Sequence, residues 1–555
     1  MPRLRAVVAG LALLALLGLA SPIARGVRDA GLPRSRAERS GHVETSREAD
    51  IAAFLADLGG RTRLLRVGDF GRTEEGRPLV LAVASDPPVA TPAEARALGR
   101  PIVLLQANIH GGEVEGKEAT QHLLRRLTLG DLRPLLGRVV VLAVPNYNAD
   151  GNEAIDLMNR TEQYGPVGGV GRRENARGLD LNRDYMKLDS AEARAFVALL
   201  TAWDPHVVVD LHTTNGSHHG YHLTYSVPLH PSTDGPLAAF ERETLMPALG
   251  AAMLGRHGFR TDYYGNFDES PLRGPEQART AWVAFDCHGR LGQNYVGLRN
   301  RVAILSEAYS YLSFARRIEA TEAFCEEILR AVADRGQAII DLVEGADRRF
   351  LAEAAGDPPP SLGVAFRPKA LPEPRPILVG RTVTRRNERN GKDMTVALDV
   401  AEPELLQDVG LFEATRTVTA ARAYAILPDD LEPRVLATLL AHGLTVERTT
   451  APWTGPVTSV RIDALERAPR PFQGHRTVAL RGQEREAQAT LPAGTVVVRL
   501  AQPLGRIAAS LLEPEGDDGI VFWDLAGDRL SVGRDAPIRK LRSLDGLATR
   551  PVAGS

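Results

Sequence analysis

The sequence predicts an α/β layered sandwich with a largely parallel sheet over about residues 50–345. Short apolar runs alternate there with longer amphipathic segments, and such strand–helix alternation is typical of parallel sheets. The apolar runs are nearly continuous, as in strands that are covered on both faces. The composition, 44% hydrophobic and 25% charged, is that of a soluble globular protein, and 555 residues are too many for one hydrophobic core. We therefore expect at least two domains.

Strands and helices are predicted in alternation along this part of the chain. The predicted strands are residues 64–67, 79–84, 102–109, 139–144, 207–211 and 302–305, and the predicted helices are residues 115–127, 191–202, 237–255 and 318–343. Ligand sites of such sheets form at the carboxyl ends of the strands. His110, Glu113, His212 and Glu307 lie at or just beyond predicted strand ends, which indicates one shared site.

The N-terminus has the pattern of an export signal. Arg3 and Arg5 precede an apolar stretch over residues 6–20, which is short for a membrane-spanning helix, and small residues follow. We expect a signal peptide over residues 1–26, a mobile leader over 27–49, and a periplasmic or secreted protein without stable membrane insertion after signal removal. An uncleaved membrane anchor is the alternative.

The composition changes at the Gly-Asp-Pro-Pro-Pro segment 356–360, which is a predicted linker. We expect one domain over residues 50–350 and a mostly β accessory region over 361–555, which could divide into two subdomains. Its predicted strands are residues 382–384, 396–398, 476–480, 495–500 and 519–523, and residues 423–448 resemble a β-α-β unit. Nothing in the sequence identifies a partner for this region.

Charge and cysteine content exclude several classes of function. The net charge is −2, from 67 basic and 69 acidic residues, so no nucleic-acid partner is expected. The only two cysteines, Cys287 and Cys325, could pair in an exported protein but are too few for a disulfide framework or a cysteine-rich zinc site. Any metal must therefore be bound by histidine and carboxylate.

Two segments offer such ligands. His110 and Glu113 follow a predicted buried strand with two glycines between them, and His212 ends another strand in Asp-Leu-His. Two imidazoles and one carboxylate that leave a fourth position open are typical of catalytic zinc. Each motif alone is weak, and His218, His219 and His222 could compete as ligands. We interpret those three as a solvated polar loop.

Taken together, the motifs resemble those of the M14 zinc metallocarboxypeptidases, the carboxypeptidase A-like enzymes. The resemblance covers about residues 50–345 and rests on five elements in matching order. They are His-Gly-Gly-Glu at 110–113, Pro-Asn-Tyr-Asn-Ala-Asp-Gly at 145–151, Asp-Leu-Asn-Arg at 180–183, Asp-Leu-His at 210–212 and Ser-Glu-Ala at 306–308. The resemblance implies a three-layer sandwich with a mixed, largely parallel sheet, and hydrolysis of C-terminal peptide bonds of peptides or proteins.

The resemblance also implies a role for each matching residue. His110, Glu113 and His212 would bind one Zn²⁺ per chain with water in the fourth position, and Glu307 would be the general base. Asn182 and Arg183 would bind the terminal carboxylate of the substrate, for which a planar guanidinium is well suited. Asp180 would orient the first histidine ligand.

Other assignments stay open at the level of sequence. The arginine that stabilises the oxyanion could be Arg172, Arg173 or Arg177, of which we favour Arg173. The tyrosine that closes over the substrate could be Tyr295, which we favour, or Tyr309. The specificity pocket is expected near residues 286–296, where His288 and Arg290 lie.

Two other functions compete with a carboxypeptidase. One is a zinc amide hydrolase of the same fold that acts on cell-wall peptides or N-acyl amino acids, against which Asn182 and Arg183 argue mildly. The other is a binding protein that has kept the fold and lost catalysis. The presence of Glu307 and of all three predicted ligands argues against it.

Overall fold

The structure is a computed structural model that describes residues 31–214, 216–268 and 279–553. The predicted signal peptide lies outside the described residues. The strands are β1 (Leu65–Arg72), β2 (Pro78–Ala84), β3 (Ile102–Ala107), β4 (Val140–Val144), β5 (Val207–Thr214), β6 (Leu223–Ser226), β7 (Thr261–Tyr263), β8 (Asn266–Phe267), β9 (Ala281–Val283), β10 (Val302–Tyr309), β11 (Ser361–Lys369), β12 (Arg375–Arg386), β13 (Asp393–Val409), β14 (Leu411–Thr419), β15 (Ala423–Ile426), β16 (Glu447–Thr449), β17 (Trp453–Arg467), β18 (Val478–Leu491), β19 (Val496–Arg499), β20 (Ile538–Leu541) and β21 (Thr549–Pro551).

Helices follow most strands of the first part and are sparse in the second. The α-helices are Arg36–Arg39, Glu48–Arg61, Pro92–Ala97, Glu115–Leu129, Ala149–Glu153, Ala191–Trp203, Gly235–Ala239, Met246–Ala252, Gly292–Leu298, Phe314–Asp334, Gly336–Ala355, Pro433–Ala441 and Gly505–Leu512. Short 3₁₀ turns lie at Arg133–Gly137, Leu181–Arg183, Pro428–Asp430 and Gly527–Arg529, and π-helical segments at Phe240–Leu245 and Met253–His257. No helix among the described residues is both long and apolar enough to span a bilayer.

The central sheet has eight strands in the order β1-β2-β4-β3-β5-β10-β6-β7. The four strands β4, β3, β5 and β10 run parallel, whereas β1, β2 and β6 are antiparallel to their neighbours toward the centre. Neighbouring residues of the central strands pack into different apolar clusters, with Leu104 in one and Val103 in the other. Because alternate side chains point to opposite faces of a strand, the sheet is covered on both sides. The predicted α/β fold with a mixed, largely parallel sheet is confirmed.

The parallel strands β3, β5 and β10 are adjacent, and their carboxyl ends carry the predicted site. His110 and Glu113 follow β3, His212 lies near the end of β5, and Glu307 near the end of β10. His212 and Glu307 are partners in the β5–β10 register, so their side chains leave the same face of the sheet.

Part of the predicted mobile leader is folded, so that prediction is wrong for residues 35–49. Thr45 and Ser46 are buried, and their hydroxyls donate hydrogen bonds of 2.9 and 2.8 Å to the buried carboxylate of Glu118. A charged, polar composition suggested mobility, but here the polar groups serve to satisfy an ionisable group inside the fold.

The second part is mostly β, as predicted, and it shares structure with the first. One sheet has the order β18-β17-β20-β15-β19-β16-β21, and a four-stranded sheet, β12-β13-β9-β8, combines strands from before and after the predicted linker. One apolar cluster likewise includes Phe196 and Phe350 together with Trp523 and Ile538. Residues Ser35–Ser555 form one compact unit. The division into domains at 350–361 stays a prediction.

Two predicted elements differ in detail. The predicted helix 318–343 is two helices, because Arg335 leaves the helical conformation at φ −114° and ψ 17°. Residues 519–523, predicted as a strand, form turns that pack on helix Gly505–Leu512, with Trp523 fully buried. Both cysteines are buried and unpaired.

Candidate metal centre and active site

The three predicted metal ligands converge on one point. Nδ1 of His110 lies 2.9 Å from Oε1 of Glu113, and Nδ1 of His212 lies 3.0 Å from Oε2 of the same carboxylate. The candidate ligand atoms of the three residues all lie within 4.8 Å of one another, and all three side chains are buried. The structure thus brings together the three residues that the sequence analysis singled out as ligands.

A carboxylate stands behind each imidazole. Nε2 of His110 lies 3.0 Å from Oδ1 of Asp180. Nε2 of His212 lies 2.8 Å from Oδ2 of Asp210, at an angle too oblique for a well-formed hydrogen bond. Both nitrogens of each ring thus face a carboxylate, which only accepts hydrogen bonds, so a cation between the Nδ1 atoms and Glu113 would leave the ring protons on the Nε2 atoms.

The donor set fits a zinc ion. Two neutral imidazole nitrogens and one carboxylate oxygen are ligands that catalytic zinc takes, and carboxylates behind histidine ligands are typical of such sites. Burial acts to raise the pKa of Glu113, but its neighbours His110 and Arg160 hold this pKa well below its usual range. The carboxylate is therefore ionised, as a metal ligand must be.

Glu307 faces the same point from β10. Its Oε2 is inaccessible to solvent yet has no hydrogen-bond partner among the described residues, and the residue as a whole is half-buried. Burial raises the pKa of Glu307 to about 8, against the lowering effect of His212. A buried carboxyl of raised pKa beside a candidate metal site has the properties of a general acid–base group.

Glycines shape the loop that carries His110 and Glu113. A Cβ on Gly111 would lie 2.4 Å from the carbonyl carbon of Gly151, and one on Gly112 would lie 2.8 Å from the carbonyl oxygen of Gly171. The amide of Asn148 in the 145–151 motif donates to the carbonyl of Ile109 at 3.1 Å. These contacts explain why two glycines separate the predicted ligands, since any side chain there would displace the surrounding backbone.

Asn182 and Arg183 lie in the same cleft as the predicted ligands. The cleft is lined by His110, Glu113, Arg173, Asn182, Arg183, His212, Thr213, Thr214, Ser226, Leu229, Tyr264, Phe285, Asp286, Leu291, Gln293, Leu305 and Glu307. Oδ1 of Asn182 accepts a hydrogen bond from Gly292 N at 2.9 Å, and the guanidinium of Arg183 lies 5.2 Å from the ring centroid of Phe285. A cation is thus held in the cleft lining, with its Nη1 3.9 Å from Oδ2 of Asp180.

Among the three candidate arginines, the structure places Arg173 in the cleft. Its Nε and Nη2 lie 3.0 and 2.8 Å from Oδ2 of Asp180, and its Nη1 lies 3.6 Å from Oε1 of Glu113. Arg172 instead donates to the carbonyl of Asn175 and Arg177 to that of Asp189, so neither reaches the cleft lining.

Tyr295, our favoured tyrosine, is not in the cleft, and that prediction is wrong. It is fully buried, and its hydroxyl lies 2.8 Å from Nδ1 of His442 in the accessory region. Tyr309 is also buried, and its ring centroid lies 4.1 Å from that of His219 with the two ring planes tilted by 33°. The tyrosine that does line the cleft is Tyr264, whose pKa is raised to about 12 by burial and by Glu307.

The histidines that follow His212 do not act as competing ligands. His219 and His222 are buried, and their Nδ1 atoms accept hydrogen bonds from the backbone N–H groups of Tyr221 and Arg260. The prediction of a solvated loop therefore holds only for the exposed His218. These rings have structural partners that local sequence does not reveal.

Of the pocket predicted near residues 286–296, only part faces the cleft. Asp286, Leu291 and Gln293 line it. Arg290 is directed away, into a group of aromatic rings from the accessory region that includes Trp523 at 5.6 Å. His288 is paired with Asp286.

Two features of the site were not predicted. Arg160, from a loop with no recognisable motif, contacts Glu113. The accessory region also reaches the site, because Oε1 of Gln473 accepts a hydrogen bond of 2.9 Å from Asp180 N and Oδ2 of Asp518 accepts one of 2.6 Å from Arg290 N. Both features depend on long-range folding, so no local pattern could have indicated them.

Comparison with known proteins agrees with this geometry. The sequence model of a family described as "Peptidase_M14: Zinc carboxypeptidase" matches residues 51–219. The chain is 22% identical over 526 residues to "Carboxypeptidase 2" of Trichophyton rubrum, covering 92% of this chain and 89% of that protein. It is 33% identical over 135 residues to "Carboxypeptidase Z" of Mus musculus, covering 23% and 19%. These matches confirm the resemblance that the motifs indicated.

Among solved structures, the chain is similar to a metallo-carboxypeptidase from Burkholderia cenocepacia. The identity is 21% and the TM-score 0.38, with 52% of this chain and 70% of that chain covered.

Proposed function

We propose that this chain, a peptidase of the M14 zinc carboxypeptidase family, uses one zinc ion to release the C-terminal residue of peptides or proteins that have a free carboxylate. The observation that carries the proposal is the presence of Arg183 and Asn182 in one cleft with the cluster His110, Glu113 and His212. A hydrolase for substrates without a carboxylate would not need a half-buried cation at that position.

The substrate would be fixed at both ends of the cleft. Arg183 would bind the terminal carboxylate through a charge-assisted pair, supported by Asn182, because a planar guanidinium can donate two parallel hydrogen bonds. The last side chain would then lie among Ser226, Leu291 and Gln293. This placement brings the scissile bond toward Glu307 and Arg173.

Catalysis would divide among few groups. His110, Glu113 and His212 would hold the zinc, which when bound would polarise the scissile carbonyl and acidify a water molecule. Glu307 would accept a proton from the attacking water and later donate it to the nitrogen of the leaving amine. Burial favours the protonated form of Glu307, which suits a carboxyl that must hold this proton between the two transfers. Arg173 would donate to the developing oxyanion.

The experiment compares wild type with Glu307→Gln. Zinc content is measured first, and then release of C-terminal residues from a mixed peptide library whose members also exist as C-terminal amides. We expect one zinc per chain in both proteins, release from free acids by wild type only, and a loss of about 10²–10⁴-fold or more in the variant, the usual contribution of an acid–base group.

Two results would contradict the proposal. Cleavage of amidated or N-acyl substrates in preference to free acids would favour the zinc amide hydrolase that acts on cell-wall peptides or N-acyl amino acids. Absence of zinc after purification without chelators and after zinc addition would refute the site itself.

We also propose that the protein is exported to the periplasm or beyond the cell. This rests on the N-terminal pattern of Arg3 and Arg5 before an apolar stretch.

A further inference from the structure

Asp210 lies in β5 two residues before the proposed ligand His212. Residues two apart in a strand lie on the same face, so the carboxylate stands beside the imidazole. Only 4% of Asp210 is exposed, and its Oδ2 lies 2.8 Å from Nε2 of His212. Asp210 thus lies on the side of the His212 ring that faces away from Glu113, close enough for a small shift to turn the contact into the hydrogen bond that Asp180 makes with His110.

A small cavity adjoins Asp210. It is lined by Gln106, Tyr185, Val208, Asp210, Gly292, Gln293, Val296, Ala303 and Ile304 and has a volume of about 10 Å³. Several buried polar atoms of this lining have no hydrogen-bond partner among the described residues. They are Nε2 of Gln106, both carboxylate oxygens of Asp210 and Oε1 of Gln293.

These orphaned atoms form a complete set of partners for one water molecule. The hydroxyl of Tyr185 donates to Oε1 of Gln106 at 3.0 Å, which leaves Nε2 of Gln106 as a donor toward the cavity. A water could accept from that amide and donate to Asp210 and to Gln293. Buried waters typically make about three such bonds, and a cavity of roughly 10–15 Å³ suffices to hold one. Without such a partner, each of these buried groups would have lost its hydrogen bonds to solvent with nothing in return.

We propose that Asp210 is a positioning residue for His212, and that one buried water, bound by Gln106 and Gln293, holds Asp210 in place. The inference rests on the proposed zinc site and extends it. Asp210 keeps the proton on Nε2 of His212, so that the Nδ1 lone pair is directed at the metal. Gln293 lines both the substrate cleft and the small cavity, so this one side chain separates the water from the substrate.

The test measures zinc affinity rather than activity. Asp210→Asn and wild type are titrated with a competing chelator, and the cobalt-substituted forms are compared by their visible spectra. Loss of an orienting group behind a histidine ligand weakens metal binding about 10–100-fold. We expect a loss in that range and a changed cobalt spectrum. A crystal structure at high resolution should show the water between Gln106 and Gln293.

The control is Asp204→Asn, which removes the same charge from a carboxylate that pairs with Arg301 just before β5, away from the site. We expect it to lower stability and to leave zinc affinity unchanged. Equal zinc affinity in Asp210→Asn and wild type would overturn the inference, even if the variant is less stable, and would leave the proposed function standing. An empty cavity in the crystal would refute the water site. A wild-type protein that binds no zinc would refute both proposals.

Discussion

Asp189 lies just after the 180–183 motif of the site and pairs with residues of the accessory region. Its Oδ2 lies 2.7 Å from Nε2 of His475 and 3.3 Å from Nζ of Lys187, and Oδ1 contacts Arg434. Burial acts to raise the pKa of Asp189, but these partners lower it to about 2. The carboxylate therefore stabilises the folded state in its ionised form.

This depressed pKa predicts a specific dependence of stability on pH. The contribution of Asp189 to the free energy of unfolding is fully present above the pKa of this side chain in the unfolded chain, about 4. It is lost as pH falls toward 2. By pH 3, the free energy of unfolding of wild type should have fallen by about 1 kcal/mol more than that of Asp189→Asn. Urea unfolding between pH 6 and pH 3 measures the free energy of unfolding of wild type and of the variant.

The control for this prediction is Asp57→Asn, whose carboxylate forms an exposed pair with Arg61 one helical turn away. Exposed pairs contribute little, so its pH profile should follow that of wild type. If the profile of Asp189→Asn also ran parallel to wild type, the pairing of Asp189 would not stabilise the fold.

At the scale of single residues, the sequence predicts those site residues that belong to recognisable local motifs. His110 and Glu113 share one loop, and His212 and Glu307 end strands, so strand position alone brings them together. The prediction that Tyr295 closes over the substrate was wrong because its hydroxyl pairs with His442, which lies 147 positions further along the chain. Only the tertiary fold could show that contact, and the same holds for Arg160.

At the scale of elements, the β12–β13 hairpin packs tightly against the loop that follows the site strand β5. The N–H of Gly380 in β12 donates to the carbonyl of His218 at 2.8 Å. A Cβ on Gly380 would lie 2.3 Å from the carbonyl oxygen of His219. The contact requires glycine because the obstructing atom belongs to the backbone and cannot rotate away.

We therefore expect Gly380→Ala to separate the hairpin from this loop and to lower the free energy of unfolding by about 1–3 kcal/mol, the usual effect of overpacking. The matched control is Gly68→Ala in β1, where an added Cβ would meet nothing within 4 Å. Thermal unfolding of the two variants compares them. Equal melting temperatures of the two variants would show that the hairpin accommodates the added methyl group without loss of stability.

The central elements of the first part were predictable because their patterns are clear. Strands β3, β4 and β5 are continuous apolar runs, and the helices Glu115–Leu129 and Ala191–Trp203 closely match their predictions, whereas β6 to β9 were not predicted because they are short. The structure of residues 519–523 was not predictable. The apolar side chains of Ile520, Val521 and Trp523 pack into the core from turns and not from a strand. Short apolar runs do not distinguish these cases.

At the scale of the whole molecule, the two predicted domains share one apolar cluster. Phe196 and Phe350 from the first part pack in it with Leu439 and Trp523 from the second. Burying one such side chain contributes about 1.5–3 kcal/mol, so the separation of the parts would expose a large unfavourable surface. The boundary that composition indicates at residues 356–360 is therefore not a boundary of the core.

We expect a chain that ends at residue 357 to be insoluble or unfolded, and the full chain to unfold in one calorimetric transition. Coexpression with residues 358–555 should restore a soluble complex. A truncated chain that folds alone and binds zinc as tightly as the full chain would contradict this expectation, as would two separate transitions in the full chain.

The contact between Gln473 and the backbone of Asp180 also has a consequence in time. Gln473 and Asp518 are synthesised more than two hundred residues after His212. At about 5–20 residues per second, ribosomes need on the order of tens of seconds to cover that distance. During this interval a nascent chain already has every proposed ligand, but the wall of its cleft lacks support. We expect such a chain to be a poor peptidase, which would protect the cell that makes it until synthesis is complete.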